Sequence, residues 1–63
     1  MQFKIHAGNS QFNHTGTVQS AIEATALRVY IPYDFKEYAA KRLETGNVAM
    51  GCYGFHDWRI ERI

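Results

Sequence analysis

One cysteine, Cys52, in a chain of 63 residues constrains this fold more than any other feature. A chain so short buries only about 60% of the surface its unfolded form exposes. Domains of this size usually add disulfides, a metal or self-association to a small core. A single thiol closes no internal disulfide, so packing, a second copy or a partner must supply the difference. The composition suits packing: 46% of residues are hydrophobic and 14% aromatic, with 21% charged. Disordered chains are poorer in aromatic residues and carry more net charge. Lys4 and His6 interrupt the first apolar residues, unlike a signal peptide. No apolar run approaches the roughly 20 residues that span a bilayer. A cytoplasmic location without a membrane partner is expected by elimination.

Gln2-Phe3-Lys4-Ile5-His6-Ala7 alternates strictly and predicts a strand with Phe3, Ile5 and Ala7 inward. Gly8-Asn9-Ser10 and Asn13-His14-Thr15-Gly16 are turn-forming, which leaves Gln11-Phe12 too short for an element. Thr17-Val18-Gln19 is expected to return as the second strand of a hairpin with a long polar loop. Ser20 and Glu23 fit a capping box, and Ile22, Ala26 and Val29 fall on one stripe of a helix over 20–29. The run 25–31 reads almost as well as a strand. After Pro32 a helix over 34–45 is expected, N-capped by Asp34, with Phe35, Ala39 and Leu43 inward and Gly46 at its end. Two alternating runs, 48–53 and 57–62, then form a hairpin around Gly54, Phe55 and His56. Val48, Met50 and Cys52 are expected to share the core face with Trp58 and Ile60. Ala49, Gly51, Tyr53, Arg59 and Glu61 would face away, with Lys4 and His6 as neighbours. The resulting class is α+β. One compact domain over 1–63 carries a small antiparallel sheet of about four strands, two hairpins, covered on one face by one or two helices.

Charge is nearly balanced, with seven Lys and Arg against six Asp and Glu, and only Lys4 is charged within the first 22 residues. Such a field does not demand nucleic acid or anionic lipid. Chemistry is equally sparse. His6, His14 and the pair Cys52-x3-His56 lack the close double pairing of structural zinc ligands, and no metal or cofactor is expected. A nucleophilic Cys52–His56 pair needs an exposed thiolate and a third orienting group, which Asp57, next in sequence to His56, is badly placed to provide. His14 and His56 could serve as the acid–base pair of a small metal-independent hydrolase or nuclease, although nothing in the sequence fixes their separation. The glycines at 46, 51 and 54 form no phosphate-binding pattern. The chain is not expected to be an enzyme.

Aromatics carry the remaining signal. Tyr53, Phe55, His56, Trp58, Arg59 and Arg62 cluster around the last hairpin, and Tyr30, Tyr33, Phe35 and Tyr38 surround Pro32. Tyr, Trp and Arg are the residue types of protein interface hot spots. The expected function is therefore that of a small non-catalytic binding or regulatory protein, of the inhibitor or accessory type that phages and mobile elements encode. Its binding residues would be Tyr53, Arg59, Glu61, Phe55, His56 and Arg62, its partner a protein, and a two-fold homodimer is also expected. The alternative is a nucleic-acid-binding module that uses the sheet face, since aromatics interleaved with arginine suit base stacking.

Overall fold

The computed structural model describes all 63 residues. Strands β1 (Gln2–Ala7) and β2 (Ser10–Thr15) are followed by helices α1 (Val18–Ala26) and α2 (Tyr33–Thr45), then strands β3 (Val48–Tyr53) and β4 (His56–Arg62). The strands form one open antiparallel sheet in the order β2-β1-β4-β3, with both helices against one face. This is the small α+β arrangement that the strand and helix patterns imply. Neither helix is long and apolar enough to cross a membrane.

Both hairpins close through two residues, Gly8-Asn9 and Gly54-Phe55. Gly8 and Gly54 adopt φ of +61° and +63°, while Asn9 and Phe55 stay at negative φ. Glycine first is the pattern of the type II′ turn, whose twist matches that of the flanking strands. These turns set the register at Ala7↔Ser10 and Tyr53↔His56. Phe3, Ile5, Trp58 and Ile60 of the central strands pack under Ile22 of α1 and Leu43 of α2, and all are buried. Full burial of each such aliphatic side chain contributes about 1.5–3 kcal/mol. The buried Thr25 hydroxyl is satisfied by donating to the Ala21 carbonyl at 2.8 Å.

Several element boundaries and caps differ from those expected. Residues 10–15 form a full strand, because β1 offers a complete row of hydrogen-bonding partners and outweighs the weak propensity of Ser-Gln-Phe-Asn-His-Thr. Residues 17–19 consequently begin α1: Thr17 is its N-cap, and its Oγ1 accepts the Ser20 amide at 3.1 Å. The helix ends at Ala26, short of 29, and the run 25–31 forms no strand. In α2, Pro32 holds the N-cap position, while Asp34 lies in the first turn, where its charge complements the helix dipole.

The largest correction concerns β3. Ala49 is buried, whereas Met50 and Cys52 are exposed, so the strand turns the opposite face inward from the one expected. Residues directly opposite each other share a face. Ala49 lies opposite Ile60 and Gly51 opposite Trp58, which places the small residues under α2. The indole fills the space beside Gly51. A Cβ there would lie 2.7 Å from Trp58 Cζ2. Trp58 and Ile60 do face the core as expected. Arg59 and Glu61 therefore share the open face, the one without helices, with Val48 and Met50 instead of Ala49 and Tyr53.

Candidate functional site

The six expected binding residues fall into three places. Tyr53 ends β3 on the helix side, with its ring edge-on to Phe35 at 6.0 Å and to Tyr30 at 5.5 Å. His56 lies beside it, and its Nδ1 accepts the Tyr30 amide at 3.1 Å. Phe55 occupies the turn and is fully exposed. Arg59 and Glu61 lie on the open face, where the Arg59 guanidinium donates to the Glu61 carboxylate at 3.0 Å. Arg62 does structural work at the far end, donating to the Gly46 carbonyl at 3.1 Å and to Asn47 Oδ1 at 3.3 Å. Trp58 belongs to the core.

Two aromatic clusters that are separate in sequence meet in space. Tyr53 of the last hairpin packs on Tyr30 and Phe35 of the Pro32 region. Tyr30, Tyr38 and Tyr53 are each about half exposed. Tyr33 stands apart, lining a polar depression between the helices with Gln19, Glu23 and Lys36. Beside the aromatic group runs a shallow groove of about 460 Å³. Asp34, Phe35 and Tyr38 of α2 form one wall, and Met50, Gly51 and Cys52 of β3 form the other.

β3 is also an outer strand. The Arg62 amide donates to the Asn47 carbonyl at 2.7 Å. Alternation along an antiparallel ladder then directs the backbone of 49, 51 and 53 toward β4 and that of Val48, Met50 and Cys52 out from the sheet. The groove therefore lies along a row of unpaired amides and carbonyls. A three-residue loop at 54–56 places Met50 in the core and Gly51 on the face away from it. Counting back from the two-residue Gly54-Phe55 turn instead puts Gly51 opposite Trp58 and Met50 on the open face.

The open face carries Lys4, His6, Gln11, Asn13, Met50, Asp57, Arg59 and Glu61. Lys4 lies opposite Glu61 and His6 opposite Arg59, so the two neighbours expected of Arg59 and Glu61 are in place. This face presents no Phe, Tyr or Trp, which leaves it without a stacking platform for bases.

Catalytic geometry is lacking where the sequence suggested it. His14 lies opposite Phe3, which in turn lies opposite Arg62, while His56 begins β4. At about 3.4 Å per residue the two histidines are roughly 20 Å apart along the sheet. They cannot act on one substrate. His14 Nε2 instead lies 2.9 Å from Ser20 Oγ, whose hydroxyl donates to the Thr17 carbonyl at 2.9 Å. That contact ties β2 to the start of α1.

Cys52 is exposed, contrary to expectation, and its pKa is raised. Hydrogen bonding with Asp57 is the main cause, followed by desolvation and the repulsion of a thiolate by the same carboxylate. Cys52 and His56 point to opposite faces of the sheet. No three His, Cys, Asp or Glu side chains gather into a cluster able to hold a metal ion. No protein-family model, curated protein or solved structure matches the chain.

Proposed function

We propose that this protein is a non-catalytic binding module, of regulatory or inhibitory type, that engages another protein through the corner formed by α2, the edge of β3 and the Gly54-Phe55 turn. One observation carries this reading: half-exposed aromatic side chains from two parts of the chain converge beside an uncharged edge strand with unpaired backbone. Rigid aromatics desolvate well at little entropic cost and dominate the energetics of interfaces. An unpaired edge supplies directional hydrogen bonds to an incoming chain. The charge balance of +1 favours a protein over nucleic acid, because phosphate binding draws on an excess of cations. A cytoplasmic place of action suits an exposed, unpaired thiol.

The test is a pull-down from the source cell's lysate with the wild type and two variants. Tyr53→Ala should lose the captured protein, whereas Arg59→Ala on the open face should retain it. Loss with Arg59→Ala and retention with Tyr53→Ala would move the functional surface to the open face. A bound fraction rich in nucleic acid, released by moderate salt, would support the alternative reading.

A further inference from the structure

Two features of the β3 edge define what it can accept. Its residues, Val48-Ala49-Met50-Gly51-Cys52-Tyr53, include no charge and no proline, and the ladder with β4 runs without a bulge. Proteins normally block exposed edges with such devices. The groove against α2 follows the same edge, and its volume is within the range of sites that enclose a ligand group.

We propose that the β3 edge takes an extended segment of a partner protein that carries an apolar residue and, two positions away, a lysine or arginine. The inference rests on the function proposed above and specifies its partner. Side chains of an added strand alternate between the two faces, so residues two apart both enter the helix-side groove. The wall of Phe35 and Tyr38 opposite Gly51 provides an apolar seat. Asp34 is the only charged residue lining the groove, and its carboxylate forms no ion pair within the chain. The Asp34 carboxylate therefore selects a basic residue at the groove position nearest it.

A second copy of the chain fits this edge poorly. α2 packs on β3 itself. Two β3 strands joined antiparallel, edge to edge, would lie about 4.8 Å apart and bring both α2 helices side by side onto one face of the joined sheet. Packed helices need about 8–10 Å. A lone extended segment brings no helix and avoids the collision.

The experiment selects binders from a displayed library of random ten-residue peptides, using the wild type and Asp34→Lys as baits. Wild-type selections should enrich an apolar residue followed or preceded at two positions by Lys or Arg, and Asp34→Lys selections should enrich Asp or Glu there. For one synthetic wild-type binder, exchanging its basic residue for Glu should weaken binding about fivefold, the scale of a partly exposed ion pair. Its binding should also slow amide hydrogen exchange at Val48, Met50 and Cys52. Peptides that protect these amides without a charge preference, or with one that Asp34→Lys leaves unchanged, overturn the inference and spare the edge as the binding site. Enriched peptides that protect no β3 amide overturn both. Sedimentation that shows a dimer, abolished by Met50→Lys in a variant with an unchanged circular dichroism spectrum, assigns the edge to a second copy and also overturns the inference.

Discussion

The two outer strands of this sheet solve the same physical problem in opposite ways. β2 is polar apart from Phe12, with Gln11, Asn13 and Thr15 on the open face. On its helix side the Arg28 guanidinium covers the Phe12 ring at 3.9 Å from the centroid, and His14 is held by Ser20. Solvated side chains and a cation thus shield that edge. β3 is small and apolar, and its flank exposes Met50, Tyr38 and Tyr53. An edge left in this state attracts other strands. Of the two edges, β3 is therefore the one whose backbone lies beside apolar rather than polar side chains.

The sharpest way to break the contrast is at Gly51. The Gly51→Val substitution drives side-chain atoms into the Trp58 ring, where even a Cβ lies 2.7 Å from Cζ2. Overpacking costs about 1–3 kcal/mol, and here the upper end is expected because β3 and Trp58 cannot both stay in place. Asn13→Val on β2 should change stability by no more than about 0.5 kcal/mol. Urea melts of both variants measure the difference. Equal effects would mean that the two edges are packed alike.

Next in size is the loss of binding. Tyr53→Ala should weaken affinity for the recovered partner by about 2 kcal/mol, the hot-spot threshold. Arg59→Ala should change it by less than about 0.5 kcal/mol, because Arg59 pairs with Glu61 on the other face. Calorimetry with each variant separates the corner from the open face. A comparable loss from both would show that one interface wraps around β3 and uses both faces.

The sequence was readable where local and non-local preferences agree. β1 alternates cleanly, and the period of Phe35, Ala39 and Leu43 marks α2 whatever covers it. β2 was hidden because nothing in Ser-Gln-Phe-Asn-His-Thr favours a strand by itself; its partner and the Gly8-Asn9 turn impose one. The facing of β3 was misread for a related reason. Hydrophobicity puts Val48, Met50 and Cys52 inside, but space under α2 and beside the Trp58 indole is available only to Ala49 and Gly51. Volume decided against hydrophobicity. The candidate site shared that error: Tyr53 and Phe55 could be found from composition, whereas the meeting of Tyr53 with Tyr30 and Phe35 depends on where the chain returns after Pro32.

A smaller effect tests the shielding of β2. Arg28→Ala removes the cation from the Phe12 ring and should cost about 0.5–1 kcal/mol, the value of an exposed cation–π contact. It should also leave Phe12 open to solvent and raise aggregation at high concentration, which light scattering follows. Unchanged scattering would show that the polar residues of β2 suffice to shield it.

The smallest effect concerns Cys52 and tests the facing of β3 directly. An exposed thiol reacts with a maleimide in the native protein, whereas a thiol packed in the core reacts only on unfolding. Native labelling is therefore expected, and protection until denaturation would restore the inward orientation. The rate should nonetheless be low at neutral pH. The attacking species is the thiolate, and Asp57 raises the pKa, by hydrogen bonding with the thiol first and by repelling the thiolate last. The sign follows: below the raised pKa less thiolate is present than for an ordinary cysteine, and the rate climbs as pH increases toward it. Asp57→Asn keeps the shape of the side chain and removes its charge, so labelling at pH 7 should accelerate. The gain should be less than the increase in thiolate alone, because a thiol of lower pKa is intrinsically less nucleophilic. Cys52→Ser should leave stability within about 0.5 kcal/mol, as expected for an exposed position. A loss well beyond that value would place the sulfur in the core, and with it would fall the contrast between a shielded edge at β2 and a bare one at β3.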